Sequence, residues 1–172
     1  MIKSKLIQPL EDEIIKLIQA EQIHFNEMYE VAKDPLLWDQ HDAKDRWKEE
    51  IFLKFFKKGL ENEKGLLAII DKKSNKIIGS TRFYPHKEKL SIGYTFISRK
   101  FWGTSVNFQV KKLMLDYVYQ FTDEIYFHVW SDNFRSHKAV QRLGAEYFGS
   151  WDEEANHLTY ILKKEVWNKK KL

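Results

Sequence analysis

Cysteine is absent from the 172 residues, and proline and glycine are scarce, at 3 and 7 residues. The absence of cysteine excludes disulfides, thiolate metal sites and a cysteine nucleophile. The sequence also contains no internal repeat, no low-complexity segment and no linker rich in proline, glycine or serine. We therefore expect a single domain that spans residues 1–172.

Long hydrophobic runs are also missing. No apolar run approaches the roughly 18–20 residues that span a bilayer, and the apolar stretch at the N-terminus is too short for a secretory signal. We therefore expect a cytoplasmic protein without a membrane partner. An apolar content of 43% is nevertheless enough for one packed core and argues against general disorder.

The charge is mildly basic, with a formal net charge of +4 at pH 7. Much of the excess lies in the lysine-rich segment 163–171. A basic surface attracts nucleic acid or the phosphates of a nucleotide cofactor, but it is also typical of an ordinary solvated surface. The 25 acidic residues are mixed among the basic ones and the aromatic residues are dispersed, which argues against a nucleic-acid partner.

Hydrophobic periodicity predicts the element order β-α-α-β-β-β-α-β-α-β-β. The predicted helices cover residues 11–22, 43–60, 106–121 and 133–143, with Asn133 as the N-cap of the last. The predicted strands cover residues 5–10, 66–70, 77–84, 90–97, 125–130, 146–151 and 157–162. Because a helix connects the strands that end at residue 97 and begin at residue 125, those two strands should be parallel. The sheet is therefore predicted to be mixed.

The turn at residues 98–106 has the composition of an anion site. A strand ends there and a long amphipathic helix begins, whose first amides lack intrahelical partners. Gly103 and Ser105 leave room for a pyrophosphate on those amides, Thr104 adds a hydroxyl, and Arg99 and Lys100 add positive charge. The alternative is an ordinary strand-to-helix turn, since the pattern is neither G-x-G-x-x-G nor a P-loop.

The same residues carry a resemblance to a known family. Residues 100–105 (KFWGTS) resemble motif A of the GNAT acetyltransferase superfamily, Q/R-x-x-G-x-G/A, from which the first and last positions depart. Residues 101–107 resemble a W-G-x-G-x-N variant of that motif. Residues 133–145 resemble the N-x-x-S…K/R-L-G-F/A helix of the Rim-type branch, which contains N-terminal acetyltransferases of ribosomal proteins. Further stretches similar to the family are residues 79–83, 92–97 and 160–167.

The resemblance implies a fold and a cofactor. The fold is α/β (α+β mixed), with a mostly antiparallel twisted sheet of about 6–7 strands, splayed in the middle and flanked by about 4 helices. The cofactor is acetyl-CoA. Strand backbone would hold its pantetheine, the amides from residue 102 to 106 its pyrophosphate, and Asn133 a pantetheine amide. The implied cofactor-binding residues are Thr95, Phe96, Ile97, Lys100, Trp102, Gly103, Thr104, Ser105, Val106, Asn107, Asn133 and Ser136.

The resemblance also implies direct attack of a neutral amine on the thioester. A strand amide near Phe96 would stabilise the oxyanion, and Ser136 would protonate the departing thiolate. Ser136 could instead bond the backbone one turn before it. Relatives often carry an acid where this chain has serine, in the stretch 90–93. His128 is therefore a candidate base, although a half-buried histidine on a sheet face explains it equally simply. No metal is expected.

The acceptor is an amine-bearing small molecule or a protein N-terminus, and we expect Arg82 and Tyr84 to contact it because they lie on a strand near the cleft. The alternative is a GNAT-fold module that binds acyl-CoA without catalysis. The serine in the stretch 90–93, where relatives often carry an acid, is compatible with this alternative. Monomer and homodimer are both open.

Overall fold

The computed structural model describes residues 5–6, 8–150 and 156–170. Its eight described strands are β1 (Leu10–Glu11), β2 (Ile15–Gln19), β3 (Leu67–Asp71), β4 (Lys76–His86), β5 (Lys89–Ile97), β6 (Glu124–Trp130), β7 (Glu146–Gly149) and β8 (His157–Lys163). Its five described α-helices are α1 (Phe25–Ala32), α2 (Glu49–Glu61), α3 (Val106–Val118), α4 (Phe134–Arg142) and α5 (Lys164–Lys170). The described residues thus form one strand more than the seven predicted and one α-helix more than the four predicted.

All eight strands form one sheet in the order β1-β2-β3-β4-β5-β6-β8-β7. Every neighbouring pair is antiparallel except β5 and β6, which confirms the predicted parallel pair. The parallel pair is joined in register only at Ser91 and Tyr126. Beyond that point the two strands separate, as the predicted mixed and splayed sheet requires.

The helices cover the sheet on both faces. Helices α1 and α2 bury Met28, Phe52 and Phe56 in one apolar cluster, whereas α3, α4 and α5 bury residues such as Met114 and Trp167 in the other. The sheet therefore separates two cores, and a gap between β5 and β6 can open toward both. Among the described residues, no helix has the length and apolar character needed to cross a membrane.

The prediction of a helix over residues 11–22 is wrong, because β2 occupies Ile15–Gln19 and pairs with β3. Ile15 and Leu17 are fully buried, whereas Lys16 and Ile18, which alternate with them, are only half-buried. This alternation is the period of a strand. The apolar run is rich in β-branched residues, which fit a pleated surface better than a helix.

Other elements also differ from the prediction in their bounds. Helix α2 begins at Glu49, so residues 43–48 form an irregular turn instead of the first turns of the predicted helix over 43–60. Helices α1 and α5 were not predicted. The strand predicted over residues 5–10 is reduced to Leu10–Glu11 among the described residues, with residue 7 outside them. Residue 151, predicted to end a strand, also lies outside the described residues.

Candidate active site

The splay between β5 and β6 opens a cleft of about 650 Å³. Its wall is formed by those two strands, the loop after β5, the first turns of α3, helix α4 and the segment that precedes α2. The predicted site residues on the wall are Tyr84, Thr95, Phe96, Ile97, Trp102, Gly103, Thr104, Asn107, His128, Asn133 and Ser136. Most of the predicted site is thus brought together in one place.

Four predicted residues lie off this wall. Lys100 and Ser105 are exposed on the loop, and the side chain of Val106 packs into the core beneath α3. Arg82 is buried, with its guanidinium carbon 4.1 Å from the ring centroid of Tyr94. Lys100, Ser105 and Val106 could therefore meet a ligand only through the backbone or from the rim.

The loop after β5 presents unpaired amides to this cleft. Gly103 has a φ of +73°, and a Cβ placed on it would meet no atom within 4 Å. Within the part of the chain that the structure describes, four amides at the start of α3 have no hydrogen-bond acceptor, namely those of Gly103, Ser105, Asn107 and Phe108. Unpaired amides at a helix N-terminus, with the positive end of the helix dipole, form an anion site.

Not every predicted amide of the loop is available. The amides of Trp102 and Thr104 donate to the carbonyl oxygens of Arg99 and Phe101, at 3.1 and 3.3 Å. The Thr104 hydroxyl donates to Phe101 and accepts from the Val106 amide, so it is engaged within the loop. The expectation that Thr104 would add a hydroxyl to the anion site is therefore not supported, and the available donors are fewer than the run from 102 to 106.

The edge of β5 that faces the splay is shaped by an irregularity at Tyr94. The register of β4 with β5 shifts between Ser80 and Arg82, and Tyr94 has a φ of +52°. A bulge of this kind bends the strand and redirects its side chains. Because β5 and β6 diverge beyond Ser91 and Tyr126, the backbone from Thr95 to Ile97 borders the cleft on the side opposite β4. An extended ligand could pair with that edge as an added strand.

Helix α4 contributes two predicted residues. The Asn133 side chain accepts a hydrogen bond from the Ser136 amide at 3.2 Å, which confirms the predicted N-cap. Asn133 is only 5% exposed and is one of the residues that line the cleft. The Ser136 hydroxyl forms no hydrogen bond with any described residue, so the alternative of a bond to the preceding turn is not observed.

His128 is held on both sides of its ring. One ring nitrogen, Nε2, lies 3.1 Å from the Ser91 hydroxyl, and the other, Nδ1, lies 3.0 Å from the Thr159 hydroxyl. A hydroxyl can donate to or accept from a ring nitrogen, so the two contacts fix the orientation of the imidazole. Ser91 lies in the stretch where the resemblance implied an acid, and here its hydroxyl contacts the His128 imidazole.

Sequence reasoning missed Lys111, which lines the cleft from α3 although it is only 6% exposed. Its ammonium donates to the Thr95 hydroxyl, which is 2.8 Å from the Thr81 hydroxyl. No carboxylate of the described residues pairs with it, and burial lowers the pKa of Lys111 to about 7. A lysine inside an amphipathic helix gives no sequence signal that it is buried.

A group of cationic and aromatic residues on the α2 face of the cleft was also missed. Arg46, on the irregular turn before α2, lines the cleft beside His41. Burial, reinforced by the charge of Arg46, lowers the pKa of His41 to about 4, so His41 is neutral at pH 7. The sequence placed Arg46 in a regular helix, where nothing marked it as a site residue.

A family model described as the acetyltransferase (GNAT) domain matches residues 14–146. This span covers more than half of the chain and includes both β5 and β6, the loop between β5 and α3, and all of α4. A search of curated proteins found no match.

Solved structures share the fold. A GCN5-related N-acetyltransferase from Brucella melitensis has a TM-score of 0.79 and 15% identity, over 94% of this chain and 80% of that one. A spermidine N-acetyltransferase from Vibrio cholerae, in complex with CoA and spermine, has a TM-score of 0.71 and 12% identity, over 91% and 99%. Ribosomal-protein-S5-alanine acetyltransferase from Vibrio fischeri has a TM-score of 0.65 and 14% identity, over 93% and 98%. At these identities the likeness extends to the fold alone.

Proposed function

The chain belongs to the GNAT acetyltransferase family, whose cofactor is acetyl-CoA, and from this premise we propose that it transfers the acetyl group to a primary amine by direct attack on the thioester. The observation that carries the proposal is the set of four unpaired amides at the start of α3, beside the splay of β5 and β6. Two phosphates can sit on those amides without meeting a side chain at Gly103.

Different residues of the chain would bind different parts of acetyl-CoA. The amides of Gly103, Ser105, Asn107 and Phe108 would hold the pyrophosphate, with Lys100 at the rim. The β5 backbone from Thr95 to Ile97 would pair with the pantetheine, and Asn133 would donate its side-chain amide from the opposite wall. Bound acetyl-CoA supplies an activated acyl group as a thioester.

Two residues are placed for proton transfer. His128 would accept a proton from the attacking amine, and its two hydroxyl partners fix the ring for that role. Ser136 would donate a proton to the departing thiolate, since its hydroxyl lies on the cleft wall without a protein partner among the described residues. A β5 amide near Phe96 would stabilise the oxyanion.

Replacing Ser136 with alanine is expected to lower kcat about 100-fold, which is the usual contribution of a positioned proton donor. The dissociation constant of acetyl-CoA should change little, because the Asn133 cap uses the Ser136 amide and not its hydroxyl. Steady-state kinetics and calorimetric titration would measure the two quantities separately. Ser136→Thr, which keeps a hydroxyl, should recover most of the rate, and an alanine variant with unchanged kcat would remove Ser136 from the mechanism.

The acceptor is proposed to be a protein N-terminus or a small-molecule amine, and the chain is proposed to belong to the Rim-type branch. Support comes from the motif of residues 133–145 and from the fold shared with ribosomal-protein-S5-alanine acetyltransferase. Residues 1–172 are proposed to act as one acetyltransferase domain, as a monomer or homodimer. The alternative, an acyl-CoA-binding module without catalysis, rests on Ser91 at the position of the usual acid.

Two measurements on the full chain test the proposal. Acetyl-CoA at about 100 times its dissociation constant should stabilise the fold by about 2.7 kcal/mol, seen as a higher melting temperature. Thiol release across a panel of peptide N-termini and small amines should then find an acceptor. An unchanged melting temperature would overturn cofactor binding, whereas binding without thiol release for any amine would favour the non-catalytic module.

A further inference from the structure

Two arginines on the α2 face of the cleft share one aromatic ring. The guanidinium carbons of Arg46 and Arg82 lie 4.5 and 4.7 Å from the ring centroid of Phe55. Arg46 also lies 5.2 Å from the centroid of Trp38, and Arg82 lies 4.1 Å from that of Tyr94. Two like charges are therefore gathered beside aromatic rings at one end of the cleft. We refer to Arg46 and Arg82 as the arginine pair.

Among the described residues, no carboxylate forms an ion pair with either member of the arginine pair. Within the part of the chain that the structure describes, neither guanidinium forms a hydrogen bond or an ion pair, and the buried Nε of Arg82 has no acceptor. Asp42 is close enough to act on Arg46 electrostatically but forms no ion pair with it, and a carboxylate oxygen of Asp42 lies 3.7 Å from Nε2 of His157. Contacts with aromatic rings stabilise a cation, yet they leave the N–H donors of a guanidinium unsatisfied.

Two other arginines near the cleft are paired, whereas Arg142, which also lines the cleft, is exposed to solvent. Arg135, on the same wall, lies 3.0 Å from a carboxylate oxygen of Asp39. Arg99, on the loop, is paired with Asp34. The chain thus supplies carboxylates to arginines that join one segment to another. The arginine pair differs because Arg46 lines the cleft with Arg82 buried beside it, and neither forms an ion pair among the described residues.

The charge of the pair persists at neutral pH. Burial lowers the pKa of Arg82 to about 10 and lowers that of Arg46 as well, which leaves both groups cationic at pH 7. Removing two neighbouring like charges from water is costly unless a counter-charge compensates them. A ligand that brings an anion to Arg46 would remove that cost and satisfy the donors that the protein leaves open.

We propose that Arg46, supported by Arg82 behind Tyr94, binds a carboxylate or phosphate carried by a small amine acceptor. This inference rests on the proposed function, since it names the class of amine that the cleft acetylates. Arg46 lies on the α2 face of the sheet, whereas the loop at Gly103 leads into α3 on the other face. Acceptor and cofactor therefore approach the splay from opposite sides. A polyamine, which carries only positive charge, is a poor fit at this end.

A series of acceptors matched in length tests the proposal. The carboxylates β-alanine, 4-aminobutyrate and 6-aminohexanoate are each compared with the amino alcohol and the diamine of the same chain length, by thiol release from acetyl-CoA. At one length or more, kcat/KM should favour the carboxylate over both partners by about 10- to 100-fold, the usual effect of a charge-assisted hydrogen bond. Equal or better use of the alcohols or diamines at every length would overturn the anion site.

Variants assign the preference to the arginine pair. Arg46→Gln should abolish it, Arg82→Gln should weaken it, and Arg46→Lys should retain part of it, because lysine keeps the charge but not the two-pronged geometry. Lys44→Gln removes a positive charge from the same turn outside the cleft wall and should leave the preference intact. Since Arg82 is buried, melting temperatures check that its variant folds. A preference that survives Arg46→Gln would contradict the proposal.

A binding measurement separates this inference from the proposed function. N-acetyl-4-aminobutyrate and N-acetyl-4-aminobutanol, the corresponding products, are titrated into the CoA-saturated protein by calorimetry. Tighter binding of the carboxylate that Arg46→Gln removes would support the anion site even where no thiol is released. If thiol is released but carboxylates are preferred neither in kcat/KM nor in product binding, the proposed acetyltransferase activity would be supported and the anion site would be refuted.

Discussion

Replacing Gly103 with aspartate is expected to weaken acetyl-CoA binding about 100- to 1,000-fold, because a negative charge would enter the proposed pyrophosphate site. Two unit charges about 4 Å apart near a protein surface repel by roughly 4 kcal/mol at an effective dielectric constant of 20. A Cβ at this position would meet no protein atom within 4 Å, so the carboxylate would have room to enter the proposed phosphate site. Isothermal titration calorimetry of the full chain measures the dissociation constant.

The control for this variant is Gly103→Asn. Gly103 has a φ of +73°, a region that asparagine and aspartate tolerate better than other residues with a side chain. The two variants have nearly the same shape and backbone preference, so the difference between their affinities isolates the charge. Asparagine should lose far less affinity than aspartate. Equal losses would mean that bulk and not charge is the obstacle, and an aspartate variant with normal affinity would refute the pyrophosphate site.

The sequence was informative where its signals are local. The glycine at the end of a strand, followed by an amphipathic helix, predicted both α3 and the loop before it. The crossover predicted the parallel pairing of β5 and β6. These features depend on residues that are close in the chain. The strand β2 was mistaken for a helix because the four apolar residues at positions 14, 15, 17 and 18 fit either period, and only pairing with the distant β3 selects the strand.

The parts of the site that the sequence did not reveal depend on burial. Lys111 and Arg46 look like ordinary surface cations in the sequence, since each has a charged residue next to it, Lys112 and Asp45 respectively. Lys111 becomes unusual because the hydroxyl it meets, on Thr95, comes from a strand on the other side of the loop. Arg46 reaches the cleft because α2 begins three residues later than Arg46. Neither the irregular turn before α2 nor the long-range contact between Lys111 and Thr95 corresponds to a recognisable sequence pattern.

Replacing Lys111 with methionine is expected to stabilise the fold at pH 6–7 by a few kcal/mol, an unusual direction for a substitution inside a protein. At that pH the wild type must bury an ammonium whose described hydrogen-bond partner is the Thr95 hydroxyl. Each unit by which the pKa is lowered corresponds to about 1.4 kcal/mol of penalty on the charged form. Methionine is of similar length and carries no charge. Chemical denaturation of both proteins at several pH values measures the difference.

The pH dependence gives this prediction its sign. Burial lowers the pKa of Lys111 from an ordinary value of 10.5 to about 7 in the folded protein. Between these values the unfolded chain holds a proton that the folded protein has released, so the stability contributed by this group rises with pH. The advantage of Lys111→Met over the wild type should therefore be largest below pH 7 and shrink toward pH 10.5. Taking the difference cancels the other titrating groups.

An exposed lysine supplies the comparison. Lys57 lies on the exposed side of α2 and has no hydrogen bond or ion pair among the described residues. Lys57→Met should change stability little at any pH in this range, because the Lys57 side chain stays in contact with water in the folded protein. If Lys111→Met behaved in the same way, the ammonium of Lys111 would have to be hydrated in solution. The cleft would then admit water as far as Thr95, next to the strand edge on which the proposed pantetheine pairing depends.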